Sequence, residues 1–166
     1  MPTHFRTIIA ILACSLATAC GNDDGTPFDP GVTGNPPPAT NAEVIQLVDL
    51  VNGHRAAEGC GPLAWHAGAG GVATALSTDM RDRDFFSHTN PDGESPFDRL
   101  DAAGVEWNGM AGENIAYGTG SGSQVFDMWI NSAGHRANIE NCSFTHHGVG
   151  LVDGRWTHLF LQNPTT

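Results

Sequence analysis

The residues best suited to chemistry are one carboxylate and two imidazoles, far apart in sequence. Glu113 sits in Gly112-Glu113-Asn114-Ile115-Ala116-Tyr117, between a glycine and an amide. Upstream lies Phe86-Ser87-His88-Thr89, and downstream Ser132-Ala133-Gly134-His135-Arg136. His88, Glu113 and His135 are expected to converge on one cleft, with Asn114 and Ser87 on its rim. Two chemistries fit such a set. Two imidazoles and a carboxylate with an open fourth position can hold a catalytic zinc. The same groups can equally form a hydrogen-bonded polar cluster. The spacing lacks the local register of His-Glu-x-x-His, so it does not choose between them.

Nucleophilic catalysis has weaker support. Ser87 and His88 are adjacent and would point apart in an extended segment. Ser132 and His135 are three apart and can meet on a helix end. Neither serine sits in a Gly-x-Ser-x-Gly strand-turn-helix frame. Glu113 with Asp92 or Glu94 would supply a glycosidase carboxylate pair, but those two acids belong to a solvated loop.

The positioning elements follow from periodicity and punctuation. Ile115 and Tyr117 alternate after Glu113 and predict a strand that ends at Gly118. Val44, Leu47, Val48 and Val51 recur at helical spacing behind a Thr40-Asn41-Ala42-Glu43 capping box, so a helix is expected over 40–58. Ala69, Val72, Ala73, Leu76 and Met80 mark a second helix, whose early glycines leave room for a close neighbour. Ser95-Pro96-Phe97-Asp98 opens a third. Ser123 is expected to cap a fourth helix, with Val125, Phe126, Trp129 and Ile130 inward. A helical turn over 135–140 follows. Asp153-Gly154 joins two strands as a hairpin, 147–152 and 156–161. Helices and a hairpin without a βαβ rhythm predict an α+β domain around a small antiparallel sheet. His146 and His147 read as surface residues. His54 and His66 read as exposed or capping.

At 166 residues the chain suits one domain plus extra segments. Its formal net charge is −11, and all 7 cationic side chains are arginine. That balance repels phosphate backbones and argues against nucleic-acid binding. Residues 1–19 read as a lipoprotein signal peptide, because the apolar run after Arg6 is too short for a spanning helix. Cys20 then becomes the lipidated residue and the sole membrane attachment. Cys14 and plain cleavage near Ala19 are the competing readings. Residues 20–40, rich in Pro, Gly and acids, read as a disordered tether. Residues 41–163 form the domain, exported and either membrane-anchored or secreted. It retains Cys60 and Cys142, which are expected to pair in an oxidising compartment. Such a bridge contributes about 2–4 kcal/mol.

An ordered series of short stretches gives the domain a resemblance. The stretches are Asn52-x-x-Arg55, Leu63-x-Trp65, Phe86-Ser87-His88, Gly93-x-x-Pro96-x-x-Arg99 and Gly112-Glu113-Asn114-Ile115-Ala116. Trp129-x-x-Ser132-x-x-His135-Arg136-x-Asn138-Ile139, Gly148-Val149-Gly150 and Trp156-Thr157 complete it. Together they span 42–161, and the domain resembles the CAP superfamily of cysteine-rich secretory, antigen 5 and pathogenesis-related proteins. It is most similar to the bacterial extracellular branch. The resemblance implies a three-layer α-β-α sandwich and a cleft where histidines and glutamates meet. His88 matches the first cleft histidine and Glu113 the first cleft glutamate. Ser132 stands near the second glutamate of animal members, and Arg155 occupies the second histidine position. His135 is the bacterial-type residue that could take its place in space. Where His158 stands, the family usually has Gln or Ala. The resemblance implies a binding module for a lipid-like, sterol-like or cell-wall ligand. The alternative is a metal-dependent extracellular hydrolase at the same cleft.

Overall fold

The computed structural model describes residues 41–165. The leader and tether readings, including Cys14 and Cys20, lie outside the described residues. Nine elements follow in chain order. They are α1 (Ala42–Ala57), β1 (Ala64–Trp65), α2 (Ala67–Asp82), α3 (Pro96–Ala102), β2 (Ala111–Tyr117), α4 (Gly122–Ile130), α5 (Ala133–Ile139), β3 (His146–Val152) and β4 (Arg155–Leu161).

The sheet runs β1-β3-β4-β2. β3 and β4 form the hairpin expected at Asp153-Gly154, and both turn residues take positive φ, 49° and 70°. Positive φ at both central residues is what a two-residue type I′ loop needs to match strand twist. β2 adds antiparallel to β4, with Glu113 opposite Leu159 and Ile115 opposite Thr157. β1 pairs parallel to β3, so the sheet is not wholly antiparallel. Two residues give no period-2 signal, which is why that strand is silent in the sequence.

Both faces of the sheet are covered. Trp156 and Phe160 of β4 pack with Val149 and Ala116 against α1, α4 and Ile139 of α5. Leu159 and Leu161 point the other way, onto α2 and Leu100 of α3. The result is a three-layer α-β-α sandwich of α+β class.

Glycine sets the distance between α2 and the sheet. A Cβ on Gly148 would stand 2.1 Å from Gly70 N, and one on Gly150 would stand 2.4 Å from the Ala73 carbonyl carbon. Backbone therefore rests on backbone, as the small residues of α2 suggested.

Two caps differ from expectation. Asn41, not Thr40, caps α1, its Oδ1 accepting from the Glu43 and Val44 amides. Glu43 does not close a capping box. Its Oε2 accepts from Gly122 N at 2.7 Å, and Gln46 Oε1 accepts from Ser123 N at 2.9 Å. Side chains of α1 thus satisfy the orphan amides that open α4. The N-cap of α4 is Ser121, two residues before the expected Ser123.

The Cys60–Cys142 bridge is present and closes 82 residues of chain. Beside it, Arg55 is fully buried. It donates to the carbonyls of Gly61, Ile139, Asn141 and Phe144 at 2.7–3.0 Å. Burial pushes its pKa down. Asn52 accepts from Leu63 N and donates to Leu63 O. Together they staple α1 to the segments on either side of the bridge. No described helix is long and apolar enough to cross a membrane.

Candidate functional site

Glu113 begins the polar site. Alternation along β2 puts Glu113, Ile115 and Tyr117 on one face, and Gly112, Asn114 and Ala116 on the other. The Glu113 side chain is almost wholly buried, yet both of its oxygens have partners. Oε1 lies 2.8 Å from His88 Nδ1, and Oε2 accepts from Arg99 Nη2 at 2.9 Å. Arg99 also donates from Nη1 to the carbonyls of His88 and Glu94. Ser95 starts α3 with a capping box to Asp98, and that helix carries Arg99 to the carboxylate. Asn90 holds the intervening loop, bonding Glu94 through both its amide nitrogen and its oxygen. His88 is half exposed while its carboxylate partner is not, so the pair presents an imidazole to solvent from a buried anchor.

Arg99 is the member of this polar cluster that a reading for imidazoles and carboxylates does not reach. It stood within the Gly93-x-x-Pro96-x-x-Arg99 stretch, but nothing local ties an arginine there to a strand fourteen residues on.

Asn114 is not a rim residue. It is fully buried on the opposite face of β2. Its Nδ2 donates to the His135 carbonyl at 3.0 Å, and its Oδ1 accepts from Asn138 Nδ2 at 2.8 Å. A buried amide satisfied at both ends pins α5 to β2 and fixes where His135 begins. Ser87 is exposed, and its Oγ accepts from Thr89 N.

His135 lines a groove of about 370 Å³ along the outer edge of β2, with Phe86, Tyr117, Met128, Trp129 and Ser132. Burial, then the charge of nearby His88, lowers its pKa. The imidazole is therefore biased to the neutral form. Phe86, Tyr117 and Met128 are about half exposed, so an apolar surface lies open beside polar side chains. Trp129 is held beneath by its indole N–H, which donates to the Ile115 carbonyl. Arg155 lies over the Tyr117 ring, 4.5 Å from its centroid, giving the family's histidine position a cation–π contact.

The zinc expectation for His88, Glu113 and His135 falls on a carboxylate that already has a partner at each oxygen. Among the described residues, the set of three His, Cys, Asp or Glu donors close enough to share an ion is His54, Glu58 and Glu140. Both Glu113 oxygens are already engaged, one by a guanidinium whose charge opposes a cation there. Among the described residues no hydrogen bond joins Ser132 to His135, and Ser87 bonds its own turn. Neither serine hydroxyl has a histidine side chain as hydrogen-bond partner among the described residues, the contact that would activate a nucleophile.

His147 and His158 were not foreseen as a unit. Both are fully buried, with His147 Nδ1 3.0 Å from His158 Nε2. Burial lowers the pKa of His147 to about 3, helped by the charge of Arg55. It lowers that of His158 as well, with His147 and Arg55 adding to it. The surface reading of His147 is therefore corrected. His66 does cap α2, its Nδ1 accepting from Ala69 N.

Comparison with known proteins agrees with this geometry. The family model described as "Cysteine-rich secretory protein family" matches residues 48–162. The Bacillus subtilis protein YkwD is 39% identical over 131 residues, 78% of this chain and 51% of the relative. The B. subtilis membrane protein YlbC is 37% identical over 117 residues, 70% of this chain and 34% of the relative. The chain thus spans about half or less of the curated relatives it matches. A crystal structure of an extracellular SCP-domain protein from Bacillus anthracis superposes with a TM-score of 0.69 at 38% identity, covering 71% of this chain and 39% of that one. An outer surface protein from Borrelia burgdorferi shares the fold, with a TM-score of 0.65 at 18% identity, covering 73% and 92% of the two chains. The chain belongs to the cysteine-rich secretory protein, or CAP, family.

Proposed function

We propose that this is an exported CAP-domain binding module, and that its ligand is a small amphipathic molecule of lipid-like, sterol-like or cell-wall origin. The observation that carries the reading is the groove itself. Half-exposed Phe86, Tyr117 and Met128 offer apolar contact, and His135 offers a hydrogen-bonding nitrogen at one wall. Concave apolar surface with a few placed polar groups is the general form of a small-ligand site. The buried polar atoms near it are spent on structure: Glu113 on His88 and Arg99, Asn114 on α5. That allocation favours binding over metal-assisted hydrolysis.

Export is supported by relatives described as extracellular, outer-surface or membrane proteins. An anchor on Cys20 would hold the domain at the membrane surface. Labelled lipid should then enter the wild-type chain in a lipoprotein-processing host and not Cys20→Ser. Labelling of Cys20→Ser would move the anchor elsewhere, to Cys14 for example.

Displacement of a fluorescent fatty acid from the purified chain tests the binding reading. Saturable binding should weaken by at least about tenfold in Met128→Asp, since a buried charge is costly on an apolar wall. Equal binding in both proteins would remove the groove from the account.

A further inference from the structure

We propose a divalent-cation site at the junction of α1 and α5, formed by His54, Glu58 and Glu140 and selecting zinc-type ions over calcium. It is separate from the cleft residues and does not depend on the ligand reading.

Glu58 is the C-cap residue of α1 and follows His54 by four, so the two lie on one side of the helix end. Glu140 is the C-cap residue of α5, which brings a third donor from a distant part of the chain. One nitrogen or oxygen from each lies within 4.8 Å of the other two. His54 Nε2 is already 3.0 Å from Glu140 Oε1. Ligands about 2.0–2.2 Å from a zinc ion in tetrahedral array stand roughly 3.5 Å apart. The set therefore needs to close by only about 1 Å, within the reach of a glutamate rotamer.

The backbone beneath is fixed independently of any ion. Cys60–Cys142 ties the end of α1 to the segment after α5. Arg55, between His54 and Glu58 in the chain, holds the carbonyls of Ile139 and Asn141 on both sides of Glu140. The His54 ring is set edge-on to Phe126, with centroids 5.9 Å apart. The competing cation is Arg136, whose Nε lies 3.9 Å from Glu140 Oε1 on a largely exposed side chain. That contact is long and solvated, so it yields readily. His54 and Glu140 are each partly exposed, which leaves an open approach and a coordination position for water.

The donor set indicates the ion. One imidazole with two carboxylates suits zinc and its first-row neighbours. Calcium asks for six to eight oxygens, which this site cannot provide. A bound ion would clip α1 to α5 beside the disulfide and stabilise the native chain by mass action.

Calorimetric titration of the full chain with zinc chloride and with calcium chloride, paired with thermal melts, tests the site. One zinc should bind per chain and raise the melting temperature, and calcium should not compete. Glu58→Gln keeps the His54–Glu140 contact and removes one ligand. It should weaken zinc by at least about tenfold, since loss of an outer-shell partner alone costs about 10–100-fold. His66→Ala, at a separate surface pair with His146, should bind like wild type. No saturable zinc binding, unchanged affinity in Glu58→Gln, or calcium binding as tight as zinc would each overturn the proposal.

Discussion

Asn114 donates from Nδ2 to the carbonyl of His135 at 3.0 Å. This bond crosses from β2 to α5 and makes the strand that carries Glu113 also the strand that places His135. Glu113 and Asn114, the residue that places His135, stand on opposite faces of β2, which is an edge strand of the sheet. The site wraps around that edge instead of lying on one face.

Asn114→Ala should therefore cost both stability and binding. It leaves the His135 carbonyl and Asn138 Nδ2 without their partner. Each buried unsatisfied group costs about 1–3 kcal/mol. Urea unfolding should show a midpoint shift without a change in slope, and fatty-acid displacement should weaken in parallel. An unchanged midpoint would mean that α5 is held by other contacts.

The Arg99–Glu113 pair gives a second expectation. Both side chains are nine-tenths or more buried. Removing one member strands a charge, which costs about 3–5 kcal/mol in comparable pairs. Arg99→Met should lose stability on that scale. Arg99→Met with Glu113→Gln should recover part of it, because no charge is then left alone. A double variant worse than the sum of the singles would contradict the pairing.

The sequence pattern carries part of this arrangement, and what it does not carry has physical causes. The His88–Glu113 contact involves a carboxylate flanked by Gly and Asn at a strand mouth, a placement the sequence itself displays. The same alternation that defined the strand puts Asn114 opposite Glu113. Its burial is thus present in the pattern, which outweighs its nearness to Glu113 in sequence. Arg99 is a tertiary contact, and helical periodicity carries no information about which strand a helix end will face. The His147–His158 pair follows from the hairpin register, where Val149 faces His158 and His147 faces Phe160. Asp153-Gly154 sets that register, so the diagonal contact was calculable once both strands were taken as buried.

That pair predicts acid sensitivity. Burial holds both histidines below the ordinary imidazole pKa, His147 at about 3. The unfolded chain binds their protons more readily than the native one. Stability from this source is complete above about pH 6.5 and declines as pH falls toward 3. Chemical denaturation at a series of pH values should show that decline, and His158→Gln should flatten it. An equal slope in the variant would assign the acid sensitivity to carboxylates instead.

Cys142→Ala should lower stability by about 2–4 kcal/mol, the usual contribution of a native bridge. Arg55 and Asn52 still join the same segments, so the variant should fold and keep its ligand groove. Non-reducing peptide mapping of the wild type should recover Cys60 linked to Cys142. Loss of fold in the variant would show that the arginine staple cannot act without the bridge.

The central claim is that ligand enters the groove at the β2 edge, and methyl resonances can locate it. Met128 lies on the groove wall, Met80 is buried on the inner face of α2, and Met110 is exposed outside the groove. With methyl-labelled methionine, a fatty acid should shift the Met128 signal saturably and leave Met80 and Met110 in place. A second cavity of about 590 Å³ lies between α2 and α3, lined by Val72, Leu76 and Arg99. Saturable binding that leaves Met128 unmoved while labelled Val72 and Leu76 methyls shift would contradict the account and assign the ligand to that cavity.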